Sequence, residues 1–515
     1  MRKLTLGVCA LVLAANLWHH LFVYQPLWDD AWYRAASFLI YNGFHEAGWT
    51  SLTNSFIYDG TFSPPMVVFL PLPFYLLFGP NEFLPMLLMD GSLIVTWYAV
   101  YRIGCLLYNE KAGCASVMAC ALQPLIFGMY RFYLIECLLT AIVAWVHWVL
   151  LKGDQEPSRK MGFKLGLLYG VGLLTKQGFP IYVLATSWIR RKIIFKQWWI
   201  VGLVAGGLAS TWYYTNGLQA LQYLIGQAWV STPGLVGPHQ IYSPSIVLDY
   251  LNSVLFEAIS WPYLVVAVGI FFAAWKTRSK EWRIGSSEKF LLAWVGFPML
   301  IFTFIINQDL RFLMPAFPGF SILIGAAVAS IVQKQKRAVL WLLPSLGVLL
   351  YFVNPYYGIT NEAASQIRGV PHQYQWPPRI FGIWNRTALL EAIRKDSGNK
   401  RVTVAMNLDH QAFNYLNMGS LALSHDWPLD FSNWESRYGY LSHVQPLSLK
   451  EALIKFIDYV VLVEGNVPKD FGEGLNSLRL PMKKLVAEGS LPTREVSRVQ
   501  LIEGVEAVIY KVLHE

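Results

Sequence analysis

The run Met66-Val-Val-Phe-Leu-Pro-Leu-Pro-Phe-Tyr-Leu-Leu-Phe-Gly79 is apolar enough to be taken for a membrane span, and its reading decides the topology of everything that follows. Pro71 and Pro73 interrupt it, and it falls short of the roughly 20 residues that cross a bilayer. We therefore read it as a re-entrant or interfacial helix. The remaining apolar runs are Leu4 to Tyr24, Phe83 to Gly104, Gly113 to Met129, Leu134 to Leu151, Gly162 to Leu174 and Phe179 to Ile189. Trp199 to Tyr214, Ile246 to Trp275, Phe290 to Ile306, Phe312 to Val332 and Ala338 to Val353 complete a set of about eleven transmembrane helices.

The cations support this count. With Arg2 and Lys3 in the cytoplasm, the inward turns carry Arg102 and Lys111, then Lys152, Arg159, Lys160 and Lys164, then Arg190, Arg191, Lys192 and Lys196. Lys276, Arg278, Lys280 and Arg283 follow, and finally Lys334, Lys336 and Arg337, so every inward turn is basic. The opposite turns hold few cations: Arg34, Arg131, Lys176 and Arg311. Counting Met66 to Gly79 as a span scrambles this alternation.

Composition agrees. The 515 residues are 55% hydrophobic and 14% charged, as expected of a polytopic membrane protein. The net charge of +9 is accounted for largely by cytoplasmic turns, so no nucleic-acid partner is expected. A cleaved signal peptide is the competing reading of the first run, but no small-residue cleavage site precedes Trp18-His19-His20. Cys9, Cys105, Cys114, Cys120 and Cys137 lie in or beside apolar runs, which offers neither a disulfide framework nor a CxxC metal site.

An odd number of spans places the tail outside. The chain divides into a transmembrane module, 1–353, with a first extracytoplasmic loop at 25–82, and a C-terminal extracytoplasmic α/β domain, 354–515. In the tail, Thr387 to Lys395 and Leu449 to Phe456 read as helices, and Arg401 to Met406 and Tyr459 to Val463 as strands. Gln500 to Tyr510 reads as a closing hairpin turning near Gly504.

The outward side collects the ionisable groups of interest. Asp29, Asp30 and Arg34 follow the first span; Arg131 and Glu136 lie in Tyr130-Arg-Phe-Tyr-Leu-Ile-Glu136; Lys176 ends Gly172-Leu-Leu-Thr-Lys176. Asp309 and Arg311 lie in Asn307-Gln-Asp-Leu-Arg-Phe-Leu-Met-Pro315. Unpaired charge at membrane depth is costly, so these groups should face one another or a wet cavity. A carboxylate that accepts a hydroxyl proton, with cations that hold a phosphate leaving group, suits glycosyl transfer from a lipid phosphate. Blander readings stand beside this one. Asp29-Asp30 would also serve as a loop or helix cap, the cations as headgroup anchors, and Glu136 as a partner for Arg131. A non-enzymatic transporter or flippase of lipid-linked sugars is the alternative function.

These residues resemble motifs of the GT-C membrane glycosyltransferases, the superfamily of protein O-mannosyltransferases and the lipid A aminoarabinose transferase. Asp29-Asp30-Ala-Trp-Tyr33 is similar to the family's Asp-Glu motif. Phe62-Ser-Pro64-Pro65 with Phe74-Tyr-Leu-Leu-Phe-Gly79 resembles its Pro-Pro interfacial helix. Arg131 through Glu136 resembles the stretch opening the fourth span, Gly172 to Lys176 its Gly-x-x-x-Lys, and Arg311-Phe-Leu-Met-Pro315 its Arg-Tyr-x-x-Pro. Asp30, Trp32 and Ser63 depart from the aminoarabinose enzymes, which leaves donor sugar and acceptor open. The resemblance implies an inverting transferase on the extracytoplasmic or lumenal face of a cell or endoplasmic-reticulum membrane. It would use a polyprenyl- or dolichyl-phosphate sugar and a lipid, glycan or protein acceptor. Asp29 would be the general base, with Asp30, Glu136, Lys176 and Arg311 shaping the sugar and phosphate sites, Arg131 beside them, and Tyr33, Arg34, Pro64 and Pro65 in support. Whether a divalent cation, Mg²⁺ or Mn²⁺, takes part is left open by a carboxylate pair.

Overall fold

The computed structural model describes residues 1–22, 26, 28–58, 63–229, 244–277, 285–305, 308–333, 338–349, 384–398, 400–408, 410, 413–431, 447–467 and 478–514. The chain falls into two compact units, one of residues 1–22, 49–70 and 86–379, the other of 23–48, 71–85 and 380–515. The expected boundary near 354 lies outside the described residues.

The first unit is built of apolar helices. Four helical stretches among the described residues are long and apolar enough to cross a membrane: Arg2–Phe22 (α1), Phe83–Leu107, Ile135–Gln155 and Leu310–Gln333. A bent pair, Val247–Phe256 and Trp261–Lys276, makes a fifth if taken as one span. The chain is an integral membrane protein, and the eleven expected spans are met in part.

The differences have local causes. The expected span Gly113 to Met129 is two helices, broken where the Gln123 side chain accepts from Ile126 N at 2.7 Å and donates to Ala258 O at 2.9 Å. A buried glutamine so used stops the helix that its apolar neighbours would continue. The run Phe179 to Ile189 gives a helix of only 10 residues, and Ser260, at φ 66°, breaks the run Ile246 to Trp275. The polar stretch after Asp30 is a helix, Trp28–Tyr58 (α2), which kinks at Gly48, where φ is 61°.

The other elements of the first half follow in order. They are Met66–Phe69 (α3), Leu72–Phe78 (α4), Phe83–Leu107 (α5), Glu110–Ala121 (α6), Pro124–Met129 (α7), Ile135–Gln155 (α8), Arg159–Thr175 (α9) and Pro180–Ile189 (α10). The run Met66 to Gly79 is thus two short pieces divided at Leu70-Pro71. Helix α6 packs on Phe317–Gln333 so closely that a Cβ at Gly325 would collide with the Ser116 backbone. Small residues at such crossings supply the contact that membrane helices lack a hydrophobic drive to make.

The second unit carries a five-stranded mixed sheet of Val402–Met406 (β1), Leu429–Phe431 (β2), Tyr459–Gly465 (β3), Thr493–Ile502 (β4) and Val505–Val512 (β5), in the order β2-β1-β3-β5-β4. β1 pairs in parallel with β2 and β3, while β3, β5 and β4 run antiparallel. Helix Arg386–Ser397 ends at Gly398 in the left-handed conformation, and Leu449–Phe456 starts with a Ser448–Glu451 capping box. Leu389, Ile393, Val404, Phe413, Met418, Tyr459, Val461 and Ile509 share one core cluster. The β4–β5 hairpin turns at Glu503-Gly504, with Gly504 at φ 73°.

Candidate active site

In the second unit, Asp29 and Asp30 occupy the first turn of α2, where the exposed amides of the helix end favour negative charge. Their environments differ because successive residues point about 100° apart. Asp30, Arg34, Ser37 and Phe38 form the buried face, whereas Asp29 and Tyr33, one turn apart, are half-buried. Arg34 Nε donates to Asp30 Oδ1 at 2.8 Å, with side chains 0% and 1% exposed. Arg34 Nη1 also donates to the Glu82 carbonyl at 3.0 Å. Phe38 stacks on Tyr75 of α4, ring centres 5.3 Å apart, so the apolar helix braces the face that holds Arg34. Of the two carboxylates, Asp30 is committed to an internal ion pair and Asp29 sits on the more accessible face.

The first unit holds a second cluster. Glu136 lies in the first turn of α8 and Lys176 caps the C-terminus of α9. Lys176 Nζ donates to Glu136 Oε1 at 2.6 Å and stands 4.0 Å over the Phe312 ring. Arg311 lies in a 3₁₀ turn, Leu310–Ala316, where Asp309 Oδ1 accepts from Arg311 N at 3.0 Å and Asp309 Oδ2 forms an ion pair with Arg311 Nε at 2.9 Å. The Arg311 guanidinium lies 5.5 Å from the same Phe312 ring, and Tyr182 OH fixes Phe312 by donating to its carbonyl at 2.7 Å. In the Lys176–Glu136 pair the lysine side chain is the more accessible: Lys176 is 20% exposed and Glu136 only 4%.

The sequence explains why Lys176 sits there. At Gly172 a Cβ would come within 2.5 Å of the Phe179 ring, so only glycine lets that buried ring close on α9. Lys176 N then donates to Gly172 O and Phe179 N to Lys176 O, each at 3.0 Å, which turns the chain at the lysine.

Arg131, Pro64 and Pro65 lie in other segments of the first unit. Arg131 is buried, hydrogen-bonded to Phe127 O, with its guanidinium 3.7 Å over the Phe127 ring. Pro64 and Pro65 are buried at the entry of α3, and Tyr133 OH donates to Val67 O, which joins the Pro-Pro segment to the Arg131 segment. The ion-pair partner of Glu136 is Lys176, where the blander reading had Arg131.

Residues 63–188 match the family model described as dolichyl-phosphate-mannose-protein mannosyltransferase, a span that contains Pro64, Pro65, Arg131, Glu136 and Lys176. Over 98% of both chains the fold is similar to the crystal structure of ArnT from Cupriavidus metallidurans bound to undecaprenyl phosphate, with a TM-score of 0.60 and 14% identity. The chain thus resembles membrane glycosyltransferases in one matched segment and in its fold. It is also 23% identical over 261 residues to the undecaprenyl phosphate-alpha-4-amino-4-deoxy-L-arabinose arabinosyl transferase of Aeromonas hydrophila subsp. hydrophila, covering 48% of this chain and 45% of that one. The same transferase of Aeromonas salmonicida is 24% identical over 259 residues, with the same coverage. The chain spans about half the length of the curated relatives it matches.

Two polar features went unread in the sequence. Asp90 of α5 accepts from Asn16 Nδ2 at 2.8 Å and pairs with His20 Nε2 at 3.3 Å. A lone acid inside the apolar run Phe83 to Gly104 was the available signal. His147 stacks on Trp294 at 3.9 Å and meets Thr186 Oγ1 at 2.9 Å, a helix-packing contact with no sequence signature. Among the described residues no group of three or more His, Cys, Asp and Glu side chains is placed to hold a metal ion, so the Asp29-Asp30 pair lacks a third such ligand among them.

Proposed function

We propose that the protein is an inverting glycosyltransferase that moves a monosaccharide from a polyprenyl- or dolichyl-phosphate donor to an acceptor hydroxyl on the extracytoplasmic face. The observation that carries this reading is the cluster around Phe312. Two partly exposed cations from separate elements flank one ring, Lys176 Nζ at 4.0 Å and the Arg311 guanidinium at 5.5 Å from Phe312, while the carboxylates that hold them are more buried or equally so: Lys176 at 20% against Glu136 at 4%, Arg311 at 20% against Asp309 at 19%. Such an arrangement suits a ligand phosphate that arrives from the accessible side and competes for Nζ and the guanidinium. The relatives' use of undecaprenyl phosphate sugars supports the donor class.

Asp29 is the general base in this reading. The acceptor hydroxyl attacks the anomeric carbon; its proton passes to the Asp29 carboxylate as the new glycosidic C–O bond forms. The anomeric bond to the phosphate oxygen breaks with its electron pair on the phosphate, which needs cations and no proton donor. Lys176 and Arg311 stabilise that growing charge, a kind of contribution worth about 10²–10³ in rate per donor. Proton removal contributes a further factor of about 10²–10⁴. Asp30 keeps Arg34 neutralised and holds the helix that carries Asp29. On the eleven-span reading of the sequence, the region from Asn354 onward lies outside the cell or in the lumen, where the acceptor is met.

The test is incubation of the purified protein with radiolabelled undecaprenyl-phosphate-linked mannose or 4-amino-4-deoxy-L-arabinose and total lipid, glycan and peptide acceptors. Covalent label on an acceptor, with release of undecaprenyl phosphate, is expected. Movement of intact donor across vesicles without covalent transfer would overturn the reading in favour of a transporter.

A further inference from the structure

The segment that leads into α2 is tied down from an unexpected quarter. Pro26, three residues before Asp29, is buried, and its carbonyl accepts from Asn417 Nδ2 at 3.2 Å. Asn417 belongs to the helix Tyr415–Ser424, the crossover between β1 and β2, nearly 400 residues later in the chain. A proline has no amide hydrogen, so this carbonyl is its one backbone hydrogen-bonding group, and burying it unpaired would be costly.

Asn417 is itself held from both sides. Its Oδ1 accepts from Asn414 N at 2.6 Å, and Asn414 Oδ1 accepts from Asn417 N at 3.0 Å, the reciprocal pair of a capping box. Asn414 Nδ2 in turn donates to His410 O at 3.0 Å, at the corner that follows β1. Both asparagines are fully buried, and Met418 and Leu421 of the same helix are in the sheet's core. One carboxamide therefore does two separable things: Oδ1 serves its own helix, and Nδ2 reaches the chain that enters α2. Beyond Asp29, the Asp30–Arg34 pair and the bond to Glu82 O fix the next turn. Asp29 thus lies between two clamped points, Pro26 and the Arg34 turn.

We propose that Asn417 is a positioning residue for Asp29, setting through the Pro26 carbonyl the entry angle of the helix that carries the carboxylate. This rests on the reading of Asp29 as base. The variant Asn417→Asp separates the two roles, because it is nearly isosteric. It keeps an oxygen acceptor for Asn414 N, and a carboxylate near a helix N-terminus is favourable. It also replaces the donor to Pro26 with an acceptor, so two oxygens face each other.

The experiment compares wild type, Asn417→Asp and Asp29→Asn in turnover of undecaprenyl-phosphate-linked sugar and in amide hydrogen exchange of the full-length protein. For Asn417→Asp the expected result is a fall in kcat of about ten-fold or more at unchanged donor KM, the size of a small misplacement of a reacting group. Exchange should quicken at residues 28–34 while residues 402–424 stay at wild-type protection. Wild-type kcat and wild-type exchange at 28–34, beside an inactive Asp29→Asn, would overturn the positioning role alone. Equal loss of protection at 402–424 would overturn it too, since the residue would then merely hold its own domain. A fully active Asp29→Asn would overturn the base assignment and the positioning role with it.

Discussion

Lys176 and Glu136, forty residues apart, meet at 2.6 Å with the glutamate side chain nearly sealed from solvent, the lysine side chain partly exposed and its ammonium 4.0 Å over the Phe312 ring. The asymmetry sets what each substitution does. Lys176→Ala strands a buried carboxylate, and breaking such a pair costs about 3–5 kcal/mol. Glu136→Gln leaves the more accessible ammonium to water and costs less. We expect Lys176→Ala to lower thermal stability in detergent more than Glu136→Gln does, with Glu136→Gln/Lys176→Met recovering most of the loss. The double variant should still lack transfer by about 10²-fold or more, because a cation on the phosphate is gone. Melting curves and donor turnover on the three variants check both statements.

Asp30 and Arg34 should behave as a structural pair. With side chains 1% and 0% exposed, Asp30→Ala leaves a buried guanidinium without its carboxylate, at a cost of about 3–5 kcal/mol. The expected outcome is low yield and a lowered melting temperature, in contrast to Asp29→Asn, which should fold and insert normally. Equal stability of Asp30→Ala and wild type would show that α2 does not depend on this pair.

Gly172 links packing to chemistry. A methyl group there meets the Phe179 ring at 2.5 Å, and the ring is buried, so Gly172→Ala must push it aside and shift the turn that carries Lys176. Overpacking of this kind costs about 1–3 kcal/mol. We expect Gly172→Ala to weaken donor use several-fold in KM, and Gly172→Ala/Phe179→Leu to restore part of it. Unchanged KM in Gly172→Ala would separate Lys176 from that contact.

Much of this was legible in the sequence. Isolated charges among apolar runs marked Glu136, Lys176 and Arg311, because the cost of unpaired charge in a membrane leaves few reasons for them. Leu449 to Phe456 was marked by its helical pattern and the hairpin by a turn near Gly504, signals that work over a few residues. Partner choice was not legible: Glu136 is five residues from Arg131, yet the closing of α9 onto Phe179 brings Lys176 to it instead. Nor were helix breaks, since Gln123 stops a helix only because its side chain finds Ile126 N and Ala258 O, 135 residues away. The Asn417–Pro26 bond, across 391 residues, has no local signal at all.

The sheet should lose stability in acid through Asp396. Tyr459 OH donates to it at 2.7 Å, Arg494 at 2.8 Å and Lys511 at 3.2 Å, and these partners, the Tyr459 bond foremost, lower its pKa from the ordinary 3.8 to about 2. A carboxylate with a depressed folded pKa contributes stability that is present in full above its unfolded value and lost as pH falls through the folded one. Protection factors in β3, β4 and β5, exchange rates corrected for the intrinsic pH dependence of amide exchange, should therefore be level from pH 7 to about pH 4.5 and fall between about pH 4 and pH 2. Asp396→Asn should have lower protection factors at pH 7 and show a flatter dependence over that window.

The most direct test of the account is single-turnover transfer by Asp29→Asn from radiolabelled undecaprenyl-phosphate-linked sugar, run beside wild type on membrane-reconstituted protein with donor binding measured separately. The account predicts normal donor binding, a rate lowered by about 10²-fold or more, and wild-type product with the anomeric configuration opposite to the donor's. Transfer by Asp29→Asn at the wild-type rate, or retention of the donor's configuration in the product, would contradict it.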